Sequence, residues 1–497
     1  MAQRPLRVLV VGAGPSGTAA ADRLAAAGAS TVLLEASGRV GGRTKSVELQ
    51  SRPGVYCDVG GQWVGTKQGV LRSLCAELGL ALRPQHSSGR RVLDLGGVVS
   101  TYAGLIPDAE FLVLVDAQAT LFLLALLQLA LTLLPRALGG DALARALDAV
   151  TVEQFAARVM WTRAGKALVT IVVQGLFGLE PAELSSLALC RYAIASGGLE
   201  RMTESGPGSL QADTIVGGAA QVSERLARRA EGRGARVLLG HAVSSIVLGP
   251  SGAVTVACAN GARFECDRVV VAVPPPVAHE ISFSPPLDAP RSALMRSATI
   301  GGIIKSIAVY ERPFWREQGF SGEVICDTNA DPEFMPVFNC FDNCLDGGVA
   351  SLVIFINGAR AREFSARPAA ERRLKVLAQL ARWFGEAARE PIEYVEADWV
   401  VDPYTRGCPI ASFNRALLTE FGIARQLGSQ DEAWGPRLLW ASTETATVST
   451  GFIDGALRSG LRAADEALGV RPGEAASTPA LAPVASEPLG DPLISGR

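Results

Sequence analysis

"RVLVVGAGPSGTAAADRLAAAGASTVLLEA", residues 7–36, is the stretch that decides the fold. An apolar run is followed by a glycine-rich turn, an alanine-rich segment, and a second apolar run that ends at Glu35. This order predicts a strand, a helix and a second strand, which together form a βαβ unit. We therefore predict an α/β fold that contains a Rossmann-type parallel sheet.

The turn has the three glycines of the dinucleotide motif G-x-G-x-x-G, at Gly12, Gly14 and Gly17. Gly12 permits the sharp turn, Gly14 lets a pyrophosphate approach the backbone, and Gly17 lets the helix pack on the strand. Ser16 belongs to the same helix start, where free N–H groups and a positive dipole face the phosphates. Glu35 is placed to accept hydrogen bonds from a ribose. A purely structural turn is the alternative interpretation.

Two more double-glycine stretches follow, "GRVGGRTKS" at 38–46 and "YCDVGGQWVG" at 56–65. They suggest that the backbone passes close to a long ligand, and Arg43 offers a guanidinium for its phosphates. A nicotinamide that dissociates needs no such second cradle, so the pattern favours a flavin. The cofactor residues assigned in these stretches are Gly42, Arg43, Gly61, Gln62 and Trp63.

Composition limits the other possibilities. At 497 residues the chain is long enough for two domains, and a net charge of −2 gives no general attraction to nucleic acid. Nine cysteines without a disulfide pattern indicate a reducing, cytoplasmic compartment. With three histidines and one close cysteine pair, Cys340 and Cys344, we expect no metal site.

Several separated stretches make the chain resemble the flavin-containing amine oxidases, and within that family the monoamine oxidases. The resemblance lies in the glycine-rich start and in VGGAAQVSERLARR (216–229), VVVAVPPPVAHEISFSPPL (269–287), GGIIKSIAVYERPFWRE (301–317), YTRGCPIASF (404–413) and LLWASTETATVSTGFIDGALRSGLRAADEAL (438–468). It implies a two-domain architecture like that of glutathione reductase, in which a discontinuous FAD-binding domain is joined to an α+β substrate domain.

The implied boundaries follow from this layout. The FAD-binding domain consists of 1–80, 215–290 and 395–468, and the substrate domain of 81–214 and 291–394. The tail, 469–497, is rich in Pro, Ala and Ser and is expected to be disordered.

Lys305 is the residue to which we assign catalysis. It stands in the apolar run IGGIIKSIAVYERPFW, where a solvated charge has no reason to be, and it is one of five lysines among 47 basic residues. Burial should lower its pKa. The resemblance implies that it holds a water against flavin N5 and assists the reaction with dioxygen. A lysine that reaches solvent from a strand edge is the alternative.

Other cofactor contacts are implied in the stretch 443–453. A helix that starts near Gly451 would point its N-terminus at the flavin N1/O2 edge and favour negative charge there, with the N–H of Ile453 as donor. Thr443 and Glu444 would shape the approach to the ring. Val243 is assigned to the cofactor site as well.

Cys408 lies between glycine and proline in TRGCPIAS. In the monoamine oxidases the cysteine at this position is bonded through sulfur to the 8α-methyl of FAD, so the resemblance implies covalent FAD. A cysteine beside non-covalent FAD is the alternative.

The substrate pocket departs from the family pattern. The family has two aromatic rings before the flavin, and here Phe452 occupies one position while Pro409 occupies the other. The remaining residues assigned to the pocket are Phe177, Gln211, Ile325 and Met335.

The implied reaction converts an amine to an imine, which hydrolyses to an aldehyde or ketone, while dioxygen is reduced to hydrogen peroxide. An L-amino-acid oxidase is one alternative, with Arg201 as the candidate carboxylate partner. A flavin desaturase of a lipophilic substrate is another, and a flavin-bearing binding protein without turnover is a third.

The segment 119–135, ATLFLLALLQLALTLLP, is strongly apolar. It is shorter than the ~20 residues that span a bilayer, which favours a helix that is buried or at a subunit interface of a possible homodimer. Peripheral membrane contact is the second interpretation and a true span the third.

Overall fold

A computed structural model describes residues 4–103, 111–134, 140–198, 206, 208–328, 335–422 and 425–470. Arg201 and most of the predicted tail, 471–497, lie outside the described residues.

The glycine-rich start forms the βαβ unit that the sequence predicts. It belongs to a five-stranded parallel sheet in the order Arg236–Leu238, Ser30–Leu34, Arg7–Val11, Arg268–Val271 and Leu438–Trp440. The strands thus come from three distant parts of the chain, and the sheet is assembled by long-range pairing.

Alternate residues of the central strand bury opposite faces of this sheet. Val8 and Val10 pack into a core with the alanines of the helices Pro15–Ala26 and Ile453–Leu468. Leu9 packs on the other face against the four-stranded sheet Arg263–Cys266, Val254–Cys258, Val243–Leu248 and Ser282–Ser284. Both faces of the parallel sheet are therefore covered, one by helices and the other by a second sheet.

A seven-stranded mixed sheet forms the second large layer. Its order is Glu393–Asp398, Ile303–Tyr310, Ala350–Asn357, Asn339–Asp342, Phe320–Cys326, Arg90–Leu95 and Val98–Tyr102. The strand Ile303–Tyr310 is buried at every residue. This strand carries Lys305 into the interior.

Short pairings join these layers. They are Ser46–Glu48 with Tyr56–Asp58, Thr299–Ile300 with Ala411–Ser412, and the three strands Trp63–Val64, Asp213–Ile215 and Leu82–Pro84. The other described α-helices are Gly69–Glu77, Phe111–Leu133, Gly140–Asp148, Val152–Val159, Arg163–Phe177, Ser186–Ser196, Ala220–Gly232, Pro275–Ala278, Ala289–Ser297, Phe314–Glu317, Gly358–Ser365, Ala369–Phe384 and Leu417–Glu420. The predicted class, a Rossmann-type domain with an α+β domain, is confirmed.

The apolar segment forms a longer helix than the sequence suggested, Phe111–Leu133, which we call the apolar helix. Its part Leu112–Leu133 is long and apolar enough to cross a membrane by length and composition, and 22% of its most apolar window is buried. The helix is therefore longer than predicted and mostly not buried within the described chain, while a subunit interface stays a prediction. Asp116 extends the helix because its carboxylate is satisfied by the backbone N–H (2.8 Å) and hydroxyl (2.5 Å) of Thr162.

Candidate functional site

A cavity of about 480 Å³, the first cavity, lies at the carboxyl ends of the strands Arg7–Val11 and Ser30–Leu34. In an open α/β sheet this edge is where ligands bind. Thirteen residues that the sequence assigned to cofactor or substrate line it: Gly12, Gly14, Ser16, Glu35, Gly42, Arg43, Gly61, Val243, Cys408, Pro409, Thr443, Phe452 and Ile453. The structure thus brings together residues from three distant parts of the chain.

The glycine turn has the geometry that a dinucleotide needs. Gly12 has a φ of +95°, and a Cβ on Gly17 would lie 1.8 Å from the Gly12 carbonyl oxygen, so only glycine allows this packing. A Cβ on Gly14, in contrast, would meet only Gly42, at 4.0 Å, and would project into free space beside the first cavity. Close approach of a ligand therefore explains the glycine at 14.

Glu35 closes the turn. One carboxylate oxygen accepts the backbone N–H of Ala13 at 2.7 Å, and the other accepts the N–H and hydroxyl of Ser37 at 2.9 and 2.7 Å. These donors fix the carboxylate at the end of its strand. A carboxylate oxygen has more than one lone pair, so it can still accept a ribose hydroxyl.

Arg43 lines the first cavity, and it also forms an ion pair that the sequence did not indicate. Its guanidinium binds the carboxylate of Glu444 through two contacts, at 2.7 and 3.1 Å, and donates to the carbonyl of Pro409 at 2.7 Å. Burial lowers the pKa of Arg43, but the nearby Glu444 outweighs it and the net pKa is raised. These contacts make Arg43 a brace between two loops. Its contact with a cofactor phosphate stays a prediction.

Lys305 is buried, with 2% of its surface exposed. Its ammonium donates to the carbonyl of Gly60 at 2.7 Å and to Oε1 of Gln62 at 2.5 Å. Among the described residues these are its hydrogen-bond acceptors, so a third N–H is available to a water or ligand. Burial lowers the pKa of Lys305 to about 8, against the opposing influence of Asp58.

Gln62 and Trp63 lie around Lys305 and do not line the first cavity. Nε2 of Gln62 donates to Asn343 at 3.2 Å, which turns its oxygen toward the lysine. The lysine Nζ lies 5.8 Å from the ring centre of Trp63 and 5.3 Å from that of Phe355. Two ring faces within about 6 Å help to hold a buried cation.

Cys408 faces the first cavity and stands beside two cations. Its backbone N–H donates to the carbonyl of Gly301 at 3.0 Å, which fixes the loop. Burial raises the pKa of the thiol to about 11, while Arg43 and Lys305 act in the opposite direction. The thiol is thus protonated at neutral pH.

The C-terminal helix begins at the first cavity, as predicted. Phe452 is its N-cap residue and Ile453 its first helical residue. Thr443 holds this start, because its hydroxyl donates to the Phe452 carbonyl at 3.0 Å and accepts the Gly451 N–H at 2.7 Å. The positive end of the helix dipole therefore lies at the cavity wall.

A ring that the sequence analysis missed stacks on Phe452. Tyr192, on the helix Ser186–Ser196, has its ring centre 5.9 Å from that of Phe452 with an interplanar angle of 25°. The ring centre of Phe177 lies 4.6 Å from that of Tyr192, with an interplanar angle of 51°. One tyrosine within an apolar helical pattern carries no signal that would have identified it.

A second cavity of about 500 Å³ lies next to this aromatic cluster. Phe177 and Tyr192 line the second cavity, whereas Phe452 lines the first, so the stacked pair forms part of the wall between them. Glu444 also lines the second cavity.

Three predicted pocket residues line neither cavity. Met335 is 4% exposed and packs in the core beneath the seven-stranded sheet, so its assignment to these pockets is wrong. Ile325 pairs with Asn339 inside that sheet, and Gln211 donates its backbone N–H to Ser209 at 3.0 Å. Arg39, by contrast, lines the first cavity and was missed, although it stands in the quoted stretch 38–46.

The described residues form no metal-binding cluster. Within the described ranges, no group of three or more His, Cys, Asp or Glu side chains is placed to hold a metal ion. The nine cysteines are all unpaired thiols.

The parallel sheet, the glycine turn and the cavity that they border define a dinucleotide-binding oxidoreductase. A sequence profile of the flavin-containing amine oxidoreductases matches residues 15–468, and the chain belongs to that family. It is an FAD-dependent oxidase of amines, acting on CH–NH₂ groups.

The relatives agree over nearly the whole length. The chain is 35% identical over 461 residues to a Mycobacterium tuberculosis protein that carries the name flavin-containing monoamine oxidase AofH, covering 92% of this chain and 96% of that one. It is 32% identical over 479 residues to human amine oxidase B, covering 93% and 86%. Among solved structures, cyclohexylamine oxidase from Brevibacterium oxydans superposes with a TM-score of 0.83 at 28% identity, covering 94% of this chain and all of that one.

Proposed function

We propose that this oxidase carries its FAD covalently on Cys408, converts a lipophilic monoamine to the imine, and reduces dioxygen to hydrogen peroxide. The observation that supports this most is that Cys408, Glu35 and the helix start at Phe452 and Ile453 line one cavity.

The residues present fit the cofactor. The glycines 12 and 14 leave room for a pyrophosphate, Glu35 is fixed for a ribose, and Cys408 lies at a distant part of the same cavity. When bound, the flavin supplies the two-electron chemistry that side chains lack. No protein atom fills the space beside Gly14, and a pyrophosphate would occupy it.

The chain's own groups set the environment of the reaction. The N-terminus of the helix Ile453–Leu468 presents free N–H groups that favour negative charge at the cavity wall. Lys305 has an N–H free to hold a water. The aromatic ring of Phe452 at the first cavity, with Tyr192 stacked on it, excludes solvent and accepts an uncharged amine.

The wall favours a monoamine over a diamine. A diamine needs a carboxylate for its distal ammonium, and Glu444, which lines the second cavity beside the aromatic pair, is already neutralised by Arg43 at 2.7 Å. Of two solved relatives, one is cyclohexylamine oxidase and another is putrescine oxidase bound to putrescine. We therefore expect cyclohexylamine-like substrates to be oxidised faster than putrescine.

A thioether at Cys408 is chemically consistent with oxidase activity. Its formation removes the thiol hydrogen and one hydrogen from the 8α-methyl, and the two electrons pass through the flavin to dioxygen. Burial holds the thiol pKa at about 11, and Arg43 and Lys305 stabilise the small thiolate fraction.

One experiment tests this assignment. The protein is precipitated in acid, and we expect the yellow colour to stay with the pellet of the wild type and to leave that of Cys408→Ala. Peroxide release is then measured with cyclohexylamine, putrescine and L-leucine. A colourless wild-type pellet would exclude the thioether, and peroxide from L-leucine alone would favour the amino-acid oxidase instead.

We also propose that the apolar helix contacts the cytoplasmic surface of a membrane. Its exposed large side chains follow helical spacing and carry no charge: Leu112, Val115, Leu121, Phe122, Leu126, Leu129 and Leu133. The exposed Trp161 lies beside it, since its backbone N–H donates to Asp116 at 3.3 Å. An uncharged face with a flanking tryptophan is typical of interfacial helices. A homodimer through the same face stays a prediction.

A further inference from the structure

Lys305 is held by an amide whose two ends differ. Oε1 of Gln62 accepts from the ammonium at 2.5 Å, and Nε2 of the same side chain donates to Oδ1 of Asn343 at 3.2 Å. If the amide were rotated, its NH₂ group would face the ammonium, and two donors cannot form a hydrogen bond. The contact between Gln62 and Lys305 therefore depends on the groups that keep the amide in this orientation.

Asn343 and Ser351 supply those groups. Nδ2 of Asn343 donates to Oγ of Ser351 at 3.3 Å, and the Ser351 hydroxyl donates to the backbone carbonyl of Asn343 at 2.6 Å. A serine hydroxyl has one hydrogen, so its oxygen can only accept from the Asn343 amide. Asn343 then presents Oδ1 to Gln62, and Gln62 presents Oε1 to the lysine.

These side chains form a network in the interior. At most 6% of the surface of Ser351, Asn343, Gln62 or Lys305 is exposed. A lost partner is costly to replace in such a place, so the orientation of each amide matters. The backbone is fixed independently, because the N–H of Asn343 donates to the Ser351 carbonyl at 2.9 Å. Removal of one side chain should thus change the hydrogen bonds and preserve the path of the chain.

The charges around Lys305 come from other residues. Asp58 raises its pKa, and Cys57 and Cys408 act in the same direction. The carboxylates next to the network on adjoining strands are bonded to other groups: Glu396 to Arg372, Asp398 to Ser365 and Asp342 to Arg316. The members of the network besides Lys305 are neutral, so they can act on the ammonium only through the direction of their hydrogen bonds.

We propose that Asn343 and Ser351 are positioning residues for the oxidase reaction, because they fix the Gln62 amide with its oxygen toward the ammonium of Lys305. The inference rests on the proposed function, which gives Lys305 its role with dioxygen. Once Gly60 and Gln62 are fixed as acceptors, the tetrahedral ammonium has one remaining direction for its third N–H. The water that it holds then has one defined place.

The charge on Lys305 can be measured directly. The chain has five lysines, and the other four are exposed or half-buried. The oxidised holoprotein is labelled with carbon-13 at lysine Cε, and the NMR signals are followed against pH. The signal that the Lys305→Met variant lacks belongs to Lys305, and its midpoint is the pKa.

We expect Asn343→Leu to lower this pKa by about one pH unit, because an oriented hydrogen bond to a charged group is lost. Ser351→Ala should lower it by a smaller amount, since the Asn343 amide can then rotate. Asn343→Asp keeps an oxygen for Gln62 and adds a negative charge, so the pKa should rise instead. If Asn343→Leu holds no flavin, the opposite shifts of the other two variants decide in its place.

A double variant tests whether Asn343 acts through Gln62. Gln62→Leu should itself lower the pKa of Lys305, and the addition of Asn343→Leu should change it by less than about 0.3 pH units. Gln379→Leu is the matched control. It removes a buried amide that is bonded to Val337 and lies outside the network, and it should leave the pKa unchanged.

The proposal would be overturned by an unchanged pKa in folded Asn343→Leu, by an equal fall in Gln379→Leu, or by a full further fall when Asn343→Leu is added to Gln62→Leu. Stopped-flow reoxidation separates it from the proposed function. In Asn343→Leu the slowing at high pH should begin at a lower pH than in the wild type. If the pKa falls as expected but Lys305→Met reoxidises at the wild-type rate, the positioning stands and the role of Lys305 with dioxygen is wrong.

Discussion

Arg43 and Glu444 are 401 residues apart in sequence and form a two-point ion pair in the interior, with contacts of 2.7 and 3.1 Å. The Glu444 side chain is 1% exposed and that of Arg43 17%. The pair joins the second glycine-rich loop to the loop before the C-terminal helix. Both loops border the first cavity, so the pair fixes its width.

We predict that Glu444→Gln lowers the free energy of unfolding by about 3 to 5 kcal/mol, because it leaves a buried guanidinium without its counter-charge. Denaturant unfolding measures this. Glu224→Gln removes the partner of Arg228 in an exposed pair, 72% and 43% accessible, and should change stability by less than about 1 kcal/mol. Similar losses in the two variants would contradict the structural role of the pair.

Glycines 14 and 17 should respond differently to alanine. Gly17→Ala puts a methyl group 1.8 Å from the Gly12 carbonyl, so we predict loss of soluble folded protein. Gly14→Ala meets no protein atom closer than 4.0 Å, so the chain should fold but hold at least tenfold less FAD. Flavin-to-protein absorbance and circular dichroism distinguish the outcomes. A yellow Gly14→Ala protein would contradict the phosphate assignment.

The reaction with dioxygen should follow the charge on Lys305. Its pKa is near 8, so the ammonium is lost as pH rises through that value, and with it the attraction for negative charge gained by dioxygen. We predict that stopped-flow reoxidation of the reduced enzyme slows above about pH 8. Reoxidation of the Lys305→Met variant should be slow at every pH and show no fall near pH 8. If the variant kept this pH dependence, another group would be responsible for it.

The same shift predicts a change in stability. Since burial lowers the pKa of Lys305 in the folded state from 10.5 to about 8, the unfolded chain binds more protons between these values. The free energy of unfolding contributed by this residue therefore rises with pH across that window. Denaturant unfolding at pH 7, 9 and 10 measures this. The free energy of unfolding of the wild type minus that of Lys305→Met should increase from pH 7 to pH 10.

Membrane contact through the apolar helix can be tested with vesicles. We predict that the wild type sediments with vesicles of phosphatidylcholine and phosphatidylglycerol at 3:1, and that Phe122→Glu combined with Leu126→Glu reduces the bound fraction at least tenfold. Leu374→Glu, at a side chain that is 69% exposed on another helix, is the control. Equal loss in the control, or no sedimentation of the wild type, would contradict the contact.

Short-range patterns allowed the fold and much of the cofactor site to be predicted. The strand, turn and helix around Gly12, Gly14 and Gly17 lie within one continuous segment, so their geometry follows from local rules. The apolar setting of Lys305 predicted its burial, and resemblance supplied its role and that of Cys408, which no spacing rule connects to that segment.

What could not be predicted depends on contacts between distant segments. The partner of Arg43 is fixed only by the folded loops, and Tyr192 reaches Phe452 through the packing of two helices. The helix begins before the quoted apolar segment, at Phe111, because the N–H and hydroxyl of Thr162 compensate the charge of Asp116. Met335 is as apolar as a pocket residue, and only tertiary packing places it in the core.

The order of strands in the parallel sheet has a consequence for biosynthesis. Among the described elements, the edge strand Leu438–Trp440 and the helix Ile453–Leu468 are translated late, and they and the segment between them supply Thr443, Phe452 and Ile453 to the cavity. The cavity is therefore incomplete until this part of the chain has been synthesised and has folded onto the sheet. We expect tight FAD binding only after that point.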